Sequence, residues 1–168
     1  MKKIIILSLI ITSLFVISCK GSGGGDSSKT TTTTPATTPI EGRWGASETV
    51  GTATASMIFI FTGTNVSYSM AMVDTDPAAP SSVTLVFGGT FRLDGNNLYT
   101  TFKTATATVS NGSTTVTMTD LTEVTNAAGG SLPVQVDNTE HLFGTYAVNG
   151  NTLTLTPTGS SAQNFTKQ

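Results

Sequence analysis

Apolar side chains recur at every second position over much of the chain, and this spacing restricts the fold more than any other feature of the sequence. Between Val83 and Leu93 the odd-numbered positions are apolar except Gly89, whereas polar residues stand among the even-numbered ones. The same alternation runs from Val66 to Met72. A period of two is typical of a β-strand with one buried face, and no window shows a sustained helical stripe. The sequence therefore predicts an all-β domain.

Short turn signals separate these strand-like segments. They lie at residues 63–65, 94–97, 111–112 and 149–151, and each is rich in Asn, Asp or Gly. Such residues tolerate positive φ angles and close tight hairpins between antiparallel strands. We expect ten strands, at about 41–49, 55–62, 65–73, 82–93, 97–109, 114–124, 133–137, 142–148, 152–157 and 162–167.

This many short antiparallel strands in one domain favour an up-and-down β-barrel of about 8–10 strands, because closure removes exposed strand edges. A two-sheet β-sandwich is the alternative. Gly88-Gly89 lies inside the longest strand, and we place there the bend that closure requires. Residues 89–99 match residues 144–154 in type, as in a duplicated hairpin or in two hairpins that converged on one pattern.

The domain resembles the lipocalin-like domains of bacterial secreted and lipid-anchored proteins in three places. These are the opening Ile40-Glu41-Gly42-Arg43-Trp44, the run from Phe59 to Thr64 with its turn, and the closing segment from Gly144 to Leu155. The resemblance implies a small barrel with an apolar interior and a ligand cavity. In lipocalins proper an Arg near the last strand covers the first-strand Trp, and here that strand offers only Lys167. We expect Trp44 to be a core residue at one end of the barrel.

The N-terminus has the organisation of an export signal. Met1-Lys2-Lys3 is basic, and the apolar segment from Ile4 to Ile17 is too short to span a bilayer core of about 30 Å but suits a signal peptide. The Val16-Ile17-Ser18-Cys19 sequence resembles the lipobox of bacterial lipoproteins. This resemblance implies that residues 1–18 are a cleaved signal peptide and that Cys19 carries fatty acyl chains such as palmitate, which anchor the protein in a membrane.

Residues 19–39 form a low-complexity segment of Gly, Ser, Thr and Pro after the cysteine. Because no apolar side chain larger than Ala36 occurs there, we expect a disordered tether with a reach of roughly 25 Å, followed by one domain over residues 40–168. Lys20 follows Cys19, so the aspartate that retains some lipoproteins at the inner membrane is absent. We therefore expect the cell envelope, at the outer membrane, with the periplasmic or surface face left open.

Composition excludes several functional classes. The formal net charge is -2 and only 11% of residues are charged, which leaves no basic footprint for nucleic acid. The single cysteine is assigned to lipidation, and His141 is the only histidine, so neither a thiolate metal site nor a two-histidine site can form. Asp74 and Asp76 fit a turn better than a calcium loop. We expect a monomer without catalytic residues, metal or cofactor.

The predicted interior is rich in flexible and aromatic side chains, which suit an apolar guest. The candidate lining residues of a ligand cavity are Met57, Phe59, Phe61, Met70, Met72, Phe87, Phe91, Phe102 and Met118. Two functions remain open. The domain binds a small apolar molecule or a protein partner at the envelope, or it is a structural or surface-exposed interaction lipoprotein with a filled core. The loops at residues 74–82 and 125–133 are the expected rims of a binding surface.

Overall fold

The computed structural model describes residues 39–76 and 80–168, so the predicted signal peptide, lipobox and nearly all of the tether lie outside the described residues. The elements are β1 (Gly42–Val50), β2 (Ala53–Thr62), β3 (Asn65–Asp74), β4 (Ser81–Asp94), β5 (Asn97–Asn111), β6 (Thr114–Met118), α1 (Leu121–Ala127), β7 (His141–Asn149), β8 (Thr152–Pro157) and β9 (Gln163–Lys167). Strands dominate, and the predicted all-β class is confirmed.

The strands pair antiparallel in one sheet whose pairings return to their starting point. The order β1-β2-β3-β4-β5-β7-β8-β9 closes when β9 pairs with β1, which makes a ring of eight strands. The closing contact is short, with Trp44 opposite Lys167 and Gly45 opposite Thr166. β6 lies outside the ring and pairs with residues 107–111 of β5. Each strand of the ring therefore has a partner on both sides.

The ring is longer on one side than on the other. β4 and β5 have 14 and 15 residues, whereas β8 and β9 have six and five. The segment between β6 and β7 covers the interior that the short strands leave open. Val124 and Ala128 are buried in the core there, and Leu132, Val134 and Val136 pack against it.

The apolar side chains that alternate along the strands form the buried core. Phe59 and Phe61 of β2 and Phe87 of β4 are at most 2% exposed, as is Trp44. The Trp44 indole Nε1 donates to the Ile40 carbonyl at 2.7 Å, so its one polar atom is satisfied within the core. The predicted core position of Trp44 is confirmed.

Two hairpins share one geometry, in agreement with the match between their sequences. In β4–β5 and in β7–β8, Gly95 and Gly150 occupy the turns with φ of 59° and 58°. Gly89 and Gly144 lie at corresponding positions, where a Cβ atom would collide with the carbonyl oxygen of a residue on the paired strand. The register of β4 and β5 also shifts between Gly88 and Gly89, at the irregularity that the sequence predicts.

Two predicted strands are wrong in whole or in part. The strand predicted at residues 114–124 ends at Met118, and α1 follows. The Asp120 side chain accepts hydrogen bonds from the backbone N–H groups of Thr122 and Glu123, so this N-cap outweighs the strand preference of the local Thr and Val residues. Residues 133–137 form no strand and contribute one isolated bridge, between Val136 and Phe102.

Candidate functional site

A pocket of about 590 Å³ opens where the short strands β7, β8 and β9 end. Its walls come from the inner faces of β2, β3 and β5, from the ends of the short strands, and from the segment that precedes β7. The lining residues are Phe59, Tyr68, Thr100, Leu132, Pro133, Val134, Gln135, His141, Leu142, Phe143, Leu155, Pro157, Thr158, Ser160, Gln163 and Phe165. The volume is within the range of small-molecule sites.

Aromatic rings form the inner wall of the pocket. Phe59 stacks on Tyr68 with ring centroids 4.2 Å apart. Phe143 and Phe165 meet the Phe59 ring edge-on, with centroid distances of 5.6 and 5.4 Å. Each ring is held by its neighbours in a favoured geometry, so this wall presents a preorganised apolar surface.

Seven of the sixteen lining residues are polar, and two of them, Tyr68 and Thr100, stand on otherwise apolar strand faces. Tyr68 and Thr100 are 3% and 4% exposed, and both line the pocket. Burial raises the pKa of the Tyr68 hydroxyl, and no hydrogen bond within the described part of the chain contributes to that shift. Among residues 39–76 and 80–168, every fully enclosed side-chain nitrogen or oxygen has a hydrogen-bond partner. The Tyr68 hydroxyl is therefore not fully enclosed, and it opens onto the pocket that Tyr68 lines. It is a neutral donor at physiological pH.

The lining carries no lysine, arginine, aspartate or glutamate. One charged side chain contacts a lining residue directly. The Asp137 carboxylate lies 2.8 Å from the Nε2 atom of His141. A charged guest would therefore lose its hydration without gaining an ion pair with a lysine, arginine or carboxylate of the lining.

The rim segment before β7 is tied down by three contacts. The Arg92 guanidinium donates twice to the Glu140 carboxylate, at 3.2 and 2.9 Å, and this contact holds the pKa of Glu140 below its usual range. The His141 Nε2 atom lies 2.9 and 2.8 Å from the two carboxylate oxygens of Asp137. The Asn138 N–H donates to the Phe102 carbonyl at 3.4 Å. These contacts fix one wall of the pocket.

The Asp137 carboxylate is held mainly by the backbone of its own turn. The Thr139 N–H donates to it at 2.9 Å, and this bond, followed by that from His141, lowers the pKa of Asp137. His141 begins β7 with about a third of its side chain exposed, the strand-entry position that the sequence indicates. The pair positions the imidazole against its own loop.

The structure distributes the nine candidate lining residues over several places. Phe59 lines the pocket described above, whereas Met57, Met70 and Met72 line a narrow crevice of about 30 Å³ beside the end of α1. Met118 lines an open groove between β6 and α1. The other four, Phe61, Phe87, Phe91 and Phe102, are buried in the core, where the rings pack in pairs with centroids 5.0 Å (Phe61 and Phe91) and 6.1 Å (Phe87 and Phe102) apart.

Several pocket residues were missed by the sequence reasoning. Thr100 stands between Leu98 and Phe102 on the inward face of β5, and a polar residue at that position of the alternation is a signal that could have found it. Tyr68 holds the same kind of position on β3. Leu132 and Pro133 lie in the loop at residues 125–133 that the sequence indicates as a rim, whereas the sequence assigns Val134 and Gln135 to a strand and not to the pocket.

The Asp74 carboxylate accepts hydrogen bonds from the Thr52 hydroxyl at 2.8 Å and from the Asp76 N–H at 3.0 Å. This is the turn geometry that the sequence favours at that position. Within residues 39–76 and 80–168, no group of three or more His, Cys, Asp or Glu side chains is placed to hold a metal ion. No helix in the described part of the chain is both long and apolar enough to cross a membrane.

No protein-family model, curated protein or solved structure matches the chain.

Proposed function

We propose that the protein is a lipid-anchored bacterial lipoprotein whose domain, a lipocalin-like β-barrel, binds a small apolar molecule at the cell envelope without catalysing a reaction. The observation that carries the ligand function is the pocket of about 590 Å³ with its preorganised aromatic wall. Apolar area supplies the affinity in such a site, and a few polar groups orient the guest.

The barrel architecture is supported by the ring of eight paired strands. It is also supported by the contact between Lys167 and Trp44, because the cation of the last strand stands over the first-strand Trp as the arginine does in lipocalins proper. The anchor is supported by the sequence alone, through the lipobox at Val16 to Cys19. Attachment to the outer membrane and cleavage after Ser18 belong to the same proposal.

The second candidate is a structural or surface-exposed interaction lipoprotein with a filled core. It is favoured by the tight packing of Phe61, Phe87, Phe91 and Phe102, which fill the centre of the interior, and by the exposed strand β6, where Val116 is 51% exposed. The two candidates differ in whether the pocket takes up a guest.

A neutral naphthyl dye such as N-phenyl-1-naphthylamine tests that difference by its fluorescence on binding. Ser160→Phe places a ring in the pocket and is expected to weaken dye binding by at least about tenfold, because the ring occupies the volume of the guest. Ser47→Phe adds the same ring at an exposed site of β1 and is the matched control, expected to bind as the parent does. The parent and both variants are purified in the same form, so dye bound outside the domain is common to them.

Equal dye binding by the parent chain and by Ser160→Phe would mean that the pocket is not the site. The filled-core alternative would then stand.

A further inference from the structure

The residues that line the pocket determine which charge state of a guest it favours. Nine of its sixteen lining residues are apolar and seven are polar, and no carboxylate, lysine or arginine stands among them. An anion or a cation entering this site would exchange water for apolar groups, hydroxyls and side-chain amides, and the one lining imidazole, that of His141, already contacts the Asp137 carboxylate. That exchange is unfavourable unless the charge is paired, so the lining favours an uncharged guest.

The Tyr68 hydroxyl supplies one directed contact in the pocket. Its ring is fixed by stacking on Phe59 at 4.2 Å and on Phe87 at 5.8 Å, so the position of the hydroxyl is fixed as well. Because the hydroxyl opens onto the pocket, a guest that covers it without accepting its hydrogen bond would leave a buried donor unsatisfied, which is unfavourable. With its proton retained, the hydroxyl donates to an acceptor atom of the guest.

The Thr100 hydroxyl belongs to β5, which is separated from the Tyr68 strand β3 by β4. Thr100 lines the same pocket and, like Tyr68, is buried. A hydroxyl both donates and accepts, so it can serve the same acceptor or a neighbouring hydroxyl of the guest.

We propose that the pocket selects uncharged molecules that join an apolar body to a hydrogen-bond acceptor such as a carbonyl oxygen, with the Tyr68 hydroxyl as the donor that recognises the acceptor. This specificity rests on the proposed function, because it assigns the ligand class of the same pocket. It distinguishes carbonyl-bearing or hydroxyl-bearing neutral lipophiles from fatty-acid anions and from plain hydrocarbons.

Three probes with one naphthalene body test the proposal by isothermal titration or dye displacement. They are 2-acetylnaphthalene, which carries a carbonyl acceptor, 2-ethylnaphthalene, which carries none, and 2-naphthoate, which is an anion. The parent chain is expected to bind the ketone about tenfold more tightly than the hydrocarbon, as one well-placed hydrogen bond allows. The anion is expected to bind at least about tenfold more weakly than the ketone.

Tyr68→Phe removes the hydroxyl and keeps the ring stacked on Phe59. The ketone and the hydrocarbon are then expected to bind equally, with the affinity for the hydrocarbon unchanged. Tyr99→Phe is the matched control, because Tyr99 lies under the Arg92 guanidinium, 4.3 Å from it, and is not among the pocket residues. It is expected to leave the preference for the ketone intact.

The outcomes separate this proposal from the proposed function. If the parent binds ketone and hydrocarbon equally, or binds 2-naphthoate as tightly as the ketone, the specificity is overturned while the ligand function stands. If Tyr68→Phe weakens both neutral probes by the same factor, the tyrosine acts by packing and the proposal is again overturned. If none of the probes binds the parent, the proposed function and this specificity both fall.

Discussion

Arg92 contacts three side chains on the described surface. Its guanidinium reaches Glu140 at 2.9 Å and Asp94 at 3.7 Å, and it lies 4.3 Å from the centre of the Tyr99 ring. Hydrogen bonding to Glu140 is the main cause that raises the pKa of Arg92 and lowers that of Glu140. Because these groups are exposed, the pair contributes modestly to stability and mainly fixes the rim of the pocket to β4.

The pH dependence of this contact has a definite sign. The pKa of Glu140 is lower in the folded protein, so the contact stabilises the fold above the ordinary glutamate pKa of about 4.3 and is lost as the pH falls through the folded value. We predict that Arg92→Gln raises the pKa of Glu140 toward the ordinary value, as measured by NMR titration of its carboxyl carbon. Arg43→Gln is the control, since Arg43 bonds Gln168. An unchanged Glu140 pKa in Arg92→Gln would refute this account of the rim.

Tyr68 and Thr100 show how far the sequence predicts the pocket. The inward positions of Tyr68 and Thr100 follow from the alternation, because a residue's face in a strand is set by its parity. Their meeting in one pocket does not follow, since β3 and β5 are joined only through β4 and through the ring. The candidate list chose flexible and aromatic side chains by type and so included Phe59 but omitted the two hydroxyl groups.

At the scale of elements, hairpins were predictable because their information is local. The turns at Gly63, Gly95 and Gly150 adopt the positive φ angles that Gly-Thr, Asp-Gly and Asn-Gly sequences allow. The helix α1 was missed because its signal is a cap rather than a hydrophobic stripe. Asp120 with Glu123 three residues later has the spacing of a helix start, and the β-branched residues around it led to the strand prediction.

Glycine is required at Gly89 by a close approach of the paired strand and at Gly63 by a positive φ angle. We predict that Gly89→Ala lowers the free energy of unfolding by about 3 kcal/mol, because its Cβ would collide with the Thr101 carbonyl oxygen of the paired strand. Gly63→Ala is expected to lower it by about 1 kcal/mol, because φ is 59° there but nothing lies within 4 Å of the added atom. Urea unfolding measures both. Equal losses would show that the close approach at Gly89 is not a constraint.

At the scale of the whole molecule, closure of the ring depends on a pairing between distant segments, for which the sequence has no local signal. Its closure joins residues 44–45 to residues 166–167, at opposite ends of the described chain. The pocket results from the difference in length between β4–β5 and β7–β9, which no local pattern encodes. The sequence nevertheless predicts the division into an export signal, a tether and a domain, because composition changes sharply at each boundary.

Native mass spectrometry of the protein purified from its own organism tests whether a lipid-anchored domain carries a neutral lipophile in its pocket. The account predicts a chain that begins at Cys19 with acyl chains attached, and a small uncharged molecule that is released on collisional activation. A Cys19→Ser variant is expected to lack the acyl mass while its domain remains folded. A chain that keeps residues 1–18, with no acyl group and no bound molecule, would contradict the account.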